Sequence, residues 1–265
     1  MIELKDVGVV YSGEGGMADV EALRGVTLTV RQGEFLALLG PSGCGKSTLL
    51  GLAAGLRRPT TGDVRVGGAR LAGPRPDTIA VVFQDHSLFP WRTVVGNIEA
   101  GLEFRGVARA ERQTRAMHYL RMVGLEAFAR AVPRQLSGGM KQRVAIARAL
   151  ALETPVLLMD EPFGALDEQT RMVLGEEVSQ IFARTEKTIL LVTHSLAEAV
   201  FLADRIAVMS GRPGRIRETI QVEAAHPRTP EFMTSPAFHT LRDHLFRLLH
   251  DEMRASVLGH DRGAR

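Results

Sequence analysis

Four short apolar runs, each closed by polar or glycine-rich residues, constrain this chain more than any other feature. They are Phe35 to Leu39, Ala80 to Phe83, Val156 to Met159 and Ile189 to Val192. Short runs without alternation suit strands buried on both faces, as in a parallel sheet. The closing residues are Gly40-Pro41-Ser42-Gly43-Cys44-Gly45-Lys46-Ser47, Gln84-Asp85, Asp160-Glu161-Pro162 and Thr193-His194-Ser195. Open α/β sheets bind ligands beyond the carboxyl ends of their strands, so four polar clusters at four strand ends predict one site. A fifth run, Ile206 to Met209, ends in Ser210-Gly211 and reads as structural.

The first 30 residues behave differently. Ile2 to Lys5 and Val26 to Val30 alternate apolar and polar, which predicts antiparallel strands, with a loop at Gly13 to Gly16 between them. From about residue 95 to 152 there is no strand-like run, and this stretch reads as a helical insert. After Arg217 the pattern weakens until Ser235-Pro236, where serine as N-cap and proline at the first helical position predict a helix start. Phe238, Leu241, Leu245, Leu248 and Leu249 then share one face, predicting a packing helix over about 236–257. The expected organisation is a unit at 1–217, with its helical part at about 88–152, and a C-terminal extension at 218–265.

Composition narrows the class. The chain has 265 residues, 45% of them apolar, enough for a sizeable core and too many for global disorder. Its longest apolar runs are about five residues, against roughly 20 for a membrane-spanning helix. The start, Met1-Ile2-Glu3-Leu4-Lys5-Asp6, lacks the basic and apolar segments of a signal peptide. The single cysteine, Cys44, excludes an internal disulfide and a multi-cysteine metal site. These features predict a cytosolic chain. The net charge of +3 is unevenly spread: ten basic and two acidic residues lie between Arg105 and Arg148, a local +8 that leaves −5 elsewhere. Such a block suits nucleic acid or an anionic membrane face, or is a solvated helical face.

Gly40 to Ser47 fits the phosphate-loop pattern G-x-x-x-x-G-K-[ST], with an apolar run before it and a plausible helix opening at Thr48-Leu49-Leu50. Glycines let the backbone aim its N–H groups at phosphate oxygens, and the helix adds its positive end. Lys46 is placed to reach the outer phosphates and Ser47 to ligate Mg²⁺. Cys44 reads as a small residue of the loop. Asp160 is placed to hold the Mg²⁺ shell, and Glu161 to polarise an attacking water. Leu136-Ser137-Gly138-Gly139-Met140, ahead of a helix-like stretch, is a second anion site. It serves either a second ligand or a neighbouring subunit's nucleotide.

Taken together these motifs resemble the nucleotide-binding subunits of ABC transporters. Over about Met1 to Gly214 the order and approximate spacing match, with Gln84 as the Q-loop glutamine, Ala165-Leu166-Asp167 as the D-loop, His194 as the switch histidine and Tyr11 as the adenine-stacking aromatic. The resemblance implies an α/β fold: a P-loop NTPase cassette with a RecA-like parallel-sheet core, an antiparallel β subdomain and a helical subdomain. It implies ATP and Mg²⁺, with the metal at Ser47, Gln84 and Asp160. Tyr11, the loop from Gly40 to Thr48, Gln84, Asp160 and the signature residues Ser137, Gly138 and Gly139 would bind the nucleotide. Glu161, His194 and Lys46 would be catalytic. The family implies a head-to-tail dimer in which Ser137 and Gly139 of one copy meet the γ-phosphate held by the other, which answers the two-site question. Gln84 would link the nucleotide to the helical part.

The implied partners are membrane permease subunits and, indirectly, a periplasmic or lipid-anchored solute-binding protein. The implied place is the cytoplasmic face of the membrane. Met140 departs from the usual signature glutamine, and Ser195 from the usual aspartate. Leu88 to Val94, Glu161 to Asp167 and Gly211 to Ile216 further resemble the nitrate, sulfonate and taurine import branch, with Trp91 as an aromatic anchor for the permease or a buried residue of the insert. An exporter or lipid-handling ATPase is the alternative within transport. ABC ATPases acting on nucleic acid usually carry two cassettes or coiled-coil arms, and this chain has one cassette and no heptad run. A P-loop kinase or GTPase leaves Leu136 to Met140 unexplained.

Overall fold

The computed structural model describes residues 1–13 and 18–260. The loop expected at Gly13 to Gly16 therefore lies largely outside the described residues. β1 (Ile2–Tyr11) and β2 (Val20–Val30) pair antiparallel, as their alternation requires, with Leu4 opposite Leu28. β4 (Thr61–Val66) and the short β5 (Ala69–Arg70) complete a four-stranded sheet in the order β2-β1-β4-β5.

The second sheet has six strands. β3 (Phe35–Leu39), β6 (Ile79–Val82), β7 (Val156–Asp160), β8 (Thr188–Val192) and β9 (Arg205–Met209) run parallel. The edge strand β10 (Ile216–Gln221) pairs antiparallel to β9, giving the order β10-β9-β3-β8-β7-β6. Phe83, read from the sequence as a strand residue, lies one position beyond β6 and is exposed. Alternate side chains of each parallel strand enter two cores. Leu36, Leu38, Leu158 and Leu190 pack toward the antiparallel sheet, whereas Phe35, Ala37, Leu157 and Leu191 pack toward the helices. Burial on both faces explains why these strands read as unbroken apolar runs.

α1 (Lys46–Ala53) follows β3 directly. α2 (Val94–Phe104), α3 (Arg109–Met122) and α4 (Gly138–Ala151) form the strand-free helical stretch. Its basic residues are largely engaged. Arg105, Arg112, Arg115 and Arg121 pair with carboxylates, and Arg143 and Arg148 donate to backbone carbonyls. Trp91 stands on the surface, 76% exposed, with its ring 5.6 Å from Phe89.

α5 (Glu168–Arg184), α6 (Leu196–Leu202) and the short α7 (Pro230–Met233) precede α8 (Pro236–His260). The Ser235 hydroxyl accepts from the Phe238 N–H at 3.2 Å, and Phe238 and Leu245 are buried in the helix-side core. α8 is thus a packing helix at the place its apolar spacing indicates. No helix among the described residues is long and apolar enough to cross a membrane.

Candidate functional site

The carboxyl ends of the parallel strands carry the predicted polar clusters to one side of the sheet. An open cavity of about 400 Å³ lies there, lined by Tyr11, Ser42, Gly43, Gly45, Lys46, Ser47, Thr48, Gln84, Glu161 and Arg212, with Val20 and Ala22 at its rim. Gly45 enters α1 at φ 101°, a left-handed conformation costly for other residues, and a Cβ there would lie 2.6 Å from Leu23 Cδ2. Lys46 is buried, and its Nζ donates to the Gly40 carbonyl at 2.8 Å and the Pro41 carbonyl at 2.9 Å. Gly40, Pro41 and Cys44 do not line the cavity. The Cys44 thiol is buried, and burial raises its pKa.

The acidic pair is split by the end of β7. Asp160 is the last strand residue and is buried. Burial pushes its carboxyl above the ordinary range, the Ser47 hydroxyl bond pulls it back, and neighbouring Glu161 raises it further. Asp160 Oδ1 is buried with no hydrogen-bond partner. Glu161 sits at φ 47°, strained for a residue with a side chain, and is held by its N–H on the Val192 carbonyl at 2.8 Å. That turn brings Glu161 to the cavity. Gln84 Nε2 donates to Glu161 Oε2 at 3.2 Å, and His194 Nδ1 lies 3.4 Å from the same oxygen. Three strand ends, those of β6, β7 and β8, therefore meet at one carboxylate.

His194 is bracketed by two residues that share a partner. The Thr193 hydroxyl donates to Glu198 Oε2 at 2.5 Å and accepts from the Ser195 N–H at 3.0 Å. Ser195 caps α6, its hydroxyl accepting from the Glu198 N–H at 3.3 Å. Glu198 is buried, and its other oxygen faces Arg171 Nε at 3.5 Å. Arg171 also donates to the Leu166 carbonyl at 3.1 Å, tying this network to the Ala165-Leu166-Asp167 turn. The departure at Ser195 thus supplies a working helix cap.

Ser137, Gly138 and Gly139 do not join the cavity. Ser137 caps α4, accepting from the Met140 N–H at 3.3 Å, and both Ser137 and Gly138 are exposed. His86 Nε2 lies 2.8 Å from the Gly138 carbonyl, and a Cβ on Gly139 would come 3.4 Å from the Ala165 carbonyl. Tyr11 donates or accepts with Thr48 at 2.9 Å, and the Arg57 guanidinium covers its ring at 5.4 Å. Sequence reasoning missed Arg212 as a cavity residue. Its only signal was membership of the Gly211 to Ile216 stretch.

A parallel sheet with a glycine-rich turn, a buried lysine and an acidic strand end defines the phosphate-loop class of nucleotide-binding proteins. More narrowly, this chain belongs to the ABC transporter (ATP-binding cassette) family, whose pattern residues 23–164 match. It is 46% identical to the nitrate import ATP-binding protein of Synechocystis over 254 residues, 94% of each chain. It is 42% identical to the taurine import ATP-binding protein of Rhizobium johnstonii over 264 residues, 97% of this chain and all of the other. The dimeric structure of a bacterial ABC transporter cassette superposes with a TM-score of 0.78 at 35% identity, covering 85% of this chain and all of that one. The same cassette bound to ADP and Pi, in a post-hydrolysis state, gives 0.77.

Proposed function

We propose that this chain is the ATP-hydrolysing subunit of an ABC importer driving uptake of a small anion such as nitrate, taurine or an aliphatic sulfonate. The observation that carries the ATPase reading is the Glu161 carboxylate, contacted by Gln84 and His194 in the cavity that also holds Lys46 and Ser47. Close relationship to the nitrate and taurine import subunits supports the importer branch.

In this reading Glu161 is the general base, taking the proton of the water that attacks the γ-phosphate. His194 holds the carboxylate and water in line. Lys46 exchanges its carbonyl partners for phosphate oxygens. The residues present fit Mg²⁺. Asp160 has a buried unpartnered oxygen beside Ser47, and Gln84 retains its amide oxygen while its N–H engages Glu161. Ser47, Asp160 and Gln84 would hold the ion, which when bound neutralises phosphate charge.

The signature residues Ser137, Gly138 and Gly139, of which the first two are exposed, would complete the site from a second copy arranged head to tail. Gln84 and exposed Trp91 would couple the nucleotide site to permease subunits from the cytoplasmic side of the membrane, while a periplasmic or lipid-anchored solute-binding protein delivers cargo from the other side. The cassette is assigned to 1–217, with its helical part at about 88–152. The extension at 218–265 opens with the remainder of β10.

The test is uptake in the source cell carrying Glu161→Gln beside wild type, with labelled nitrate, taurine and an alkanesulfonate. Loss of a general base lowers turnover about 10²-fold or more, so uptake of one solute should vanish and name the cargo. Unchanged uptake of all three contradicts the nitrate, taurine and sulfonate assignment and leaves an exporter, a lipid-handling system or another small solute.

A further inference from the structure

The turn between β9 and β10 lies directly on the phosphate loop. The Gly214 N–H donates to the Ala22 carbonyl at 2.9 Å, and its carbonyl accepts from Arg24 at 3.1 Å. A Cβ on Gly214 would come 2.0 Å from the Cys44 carbonyl, so only glycine permits this backbone approach. From this turn Arg212 reaches over the loop. Its Nε donates to the Gly43 carbonyl at 3.2 Å, and its side chain lines the cavity that holds Lys46 and Ser47.

The C-terminal helix grips the same turn from the other side. Glu252 Oε2 accepts from the Gly211 N–H at 3.0 Å, and Oε1 accepts from Arg217 Nη1 at 2.6 Å. Arg217 Nη1 also donates to the Leu248 carbonyl at 3.3 Å. One carboxylate of α8 therefore fixes both ends of the segment 211–217 and with it the approach of Arg212. A guanidinium carries five N–H donors in a rigid fork and a permanent charge, which suits phosphate oxygens. Its contact with Gly43 uses one donor and leaves the rest of the fork at the cavity mouth.

We propose that Arg212 binds the phosphates of the nucleotide and that Glu252 positions it, so that the C-terminal helix sets nucleotide affinity. This rests on the nucleotide site proposed above. Arg212 is a binding residue and Glu252 a positioning residue.

The test is equilibrium binding of N-methylanthraniloyl-labelled ATP to the purified full chain, with ATP turnover alongside. Arg212→Ala should weaken binding and raise KM about fivefold, the scale of one partly exposed charge-assisted hydrogen bond, and leave kcat within about twofold. Its affinity should also fall less steeply with salt, and Arg212→Lys should recover part of the loss. Glu252→Gln should weaken binding in the wild-type background and add nothing in the Arg212→Ala background, because it acts through Arg212. Arg217→Met breaks the same grip at its other end and should reproduce that result if Glu252→Gln lowers the melting temperature. Unchanged affinity in Arg212→Ala, or equal weakening by Glu252→Gln in both backgrounds, overturns the proposal. Lys46→Ala separates the two claims. If it still binds ATP tightly, the site itself is misassigned. If it loses ATP while Arg212→Ala does not, only the present inference fails.

Discussion

Glu198 is the residue whose environment makes the sharpest demand. It has no place in the cavity, yet it fixes the residues on both sides of His194. Burial raises its pKa above the ordinary glutamate value, and the Thr193 hydroxyl, Arg171 and His194 offset part of that rise, while Glu161 adds to it. An acid whose folded pKa exceeds its unfolded one binds more protons in the native state, so its contribution to stability falls as pH rises from the ordinary glutamate range through the folded pKa. Urea midpoints of wild type and Glu198→Gln should therefore diverge with pH. The Gln variant should gain relative to wild type toward neutrality. A difference constant with pH would contradict the buried, proton-holding carboxyl. The motif residues were legible because the chemistry of phosphate binding restricts residue types within eight positions. The Thr193–Glu198–Arg171 chain was not, since its members join across 27 residues and two helices, and no local pattern encodes that contact.

Elements differ in how openly they are written. β3, β7 and β8 stand out because both their faces are buried, and β1 and β2 because only one face of each is. β10 escaped notice. Ile216-Arg217-Glu218-Thr219-Ile220-Gln221 is a half-buried edge strand with two apolar residues, too few to raise a signal. α8 announced itself by Ser235-Pro236 and its apolar face, but the way the segment before it is fastened did not. Arg228 is buried, and its Nη1 donates to the carbonyls of Val200, Phe201 and Ala203 at 2.9, 3.1 and 2.8 Å, closing the C-terminal end of α6. Burial lowers its pKa to about 10, so it remains charged at neutral pH. Arg228→Met should cost about 3 kcal/mol, since three carbonyls lose a charged donor in a buried setting. Chemical denaturation would measure this, and a loss under about 0.5 kcal/mol, the range of an ordinary surface change, would show that water replaces the guanidinium.

At the scale of the whole molecule the site is split. Lys46, Ser47, Gln84, Glu161 and His194 gather at the strand ends, while Ser137 caps α4 and Gly138 and Gly139 open it outside that cavity, with Ser137 and Gly138 exposed. In the proposed head-to-tail dimer each whole site would combine the cavity of one copy with the signature turn of the other. This division was visible in the sequence as two anion-binding turns on one chain. What the sequence could not supply was their separation in space, which depends on how α4 packs on β6.

The central claim is that ATP joins two copies of this chain through a shared site that Glu161 then opens by hydrolysis. The most direct measurement is the molar mass of Glu161→Gln by light scattering after size exclusion, with and without saturating ATP and Mg²⁺. The account predicts a monomer without nucleotide and a stable dimer with it, lost again when Ser137 is also replaced by a bulky charged residue. A monomer at saturating ATP, with ATP bound, would contradict the shared site.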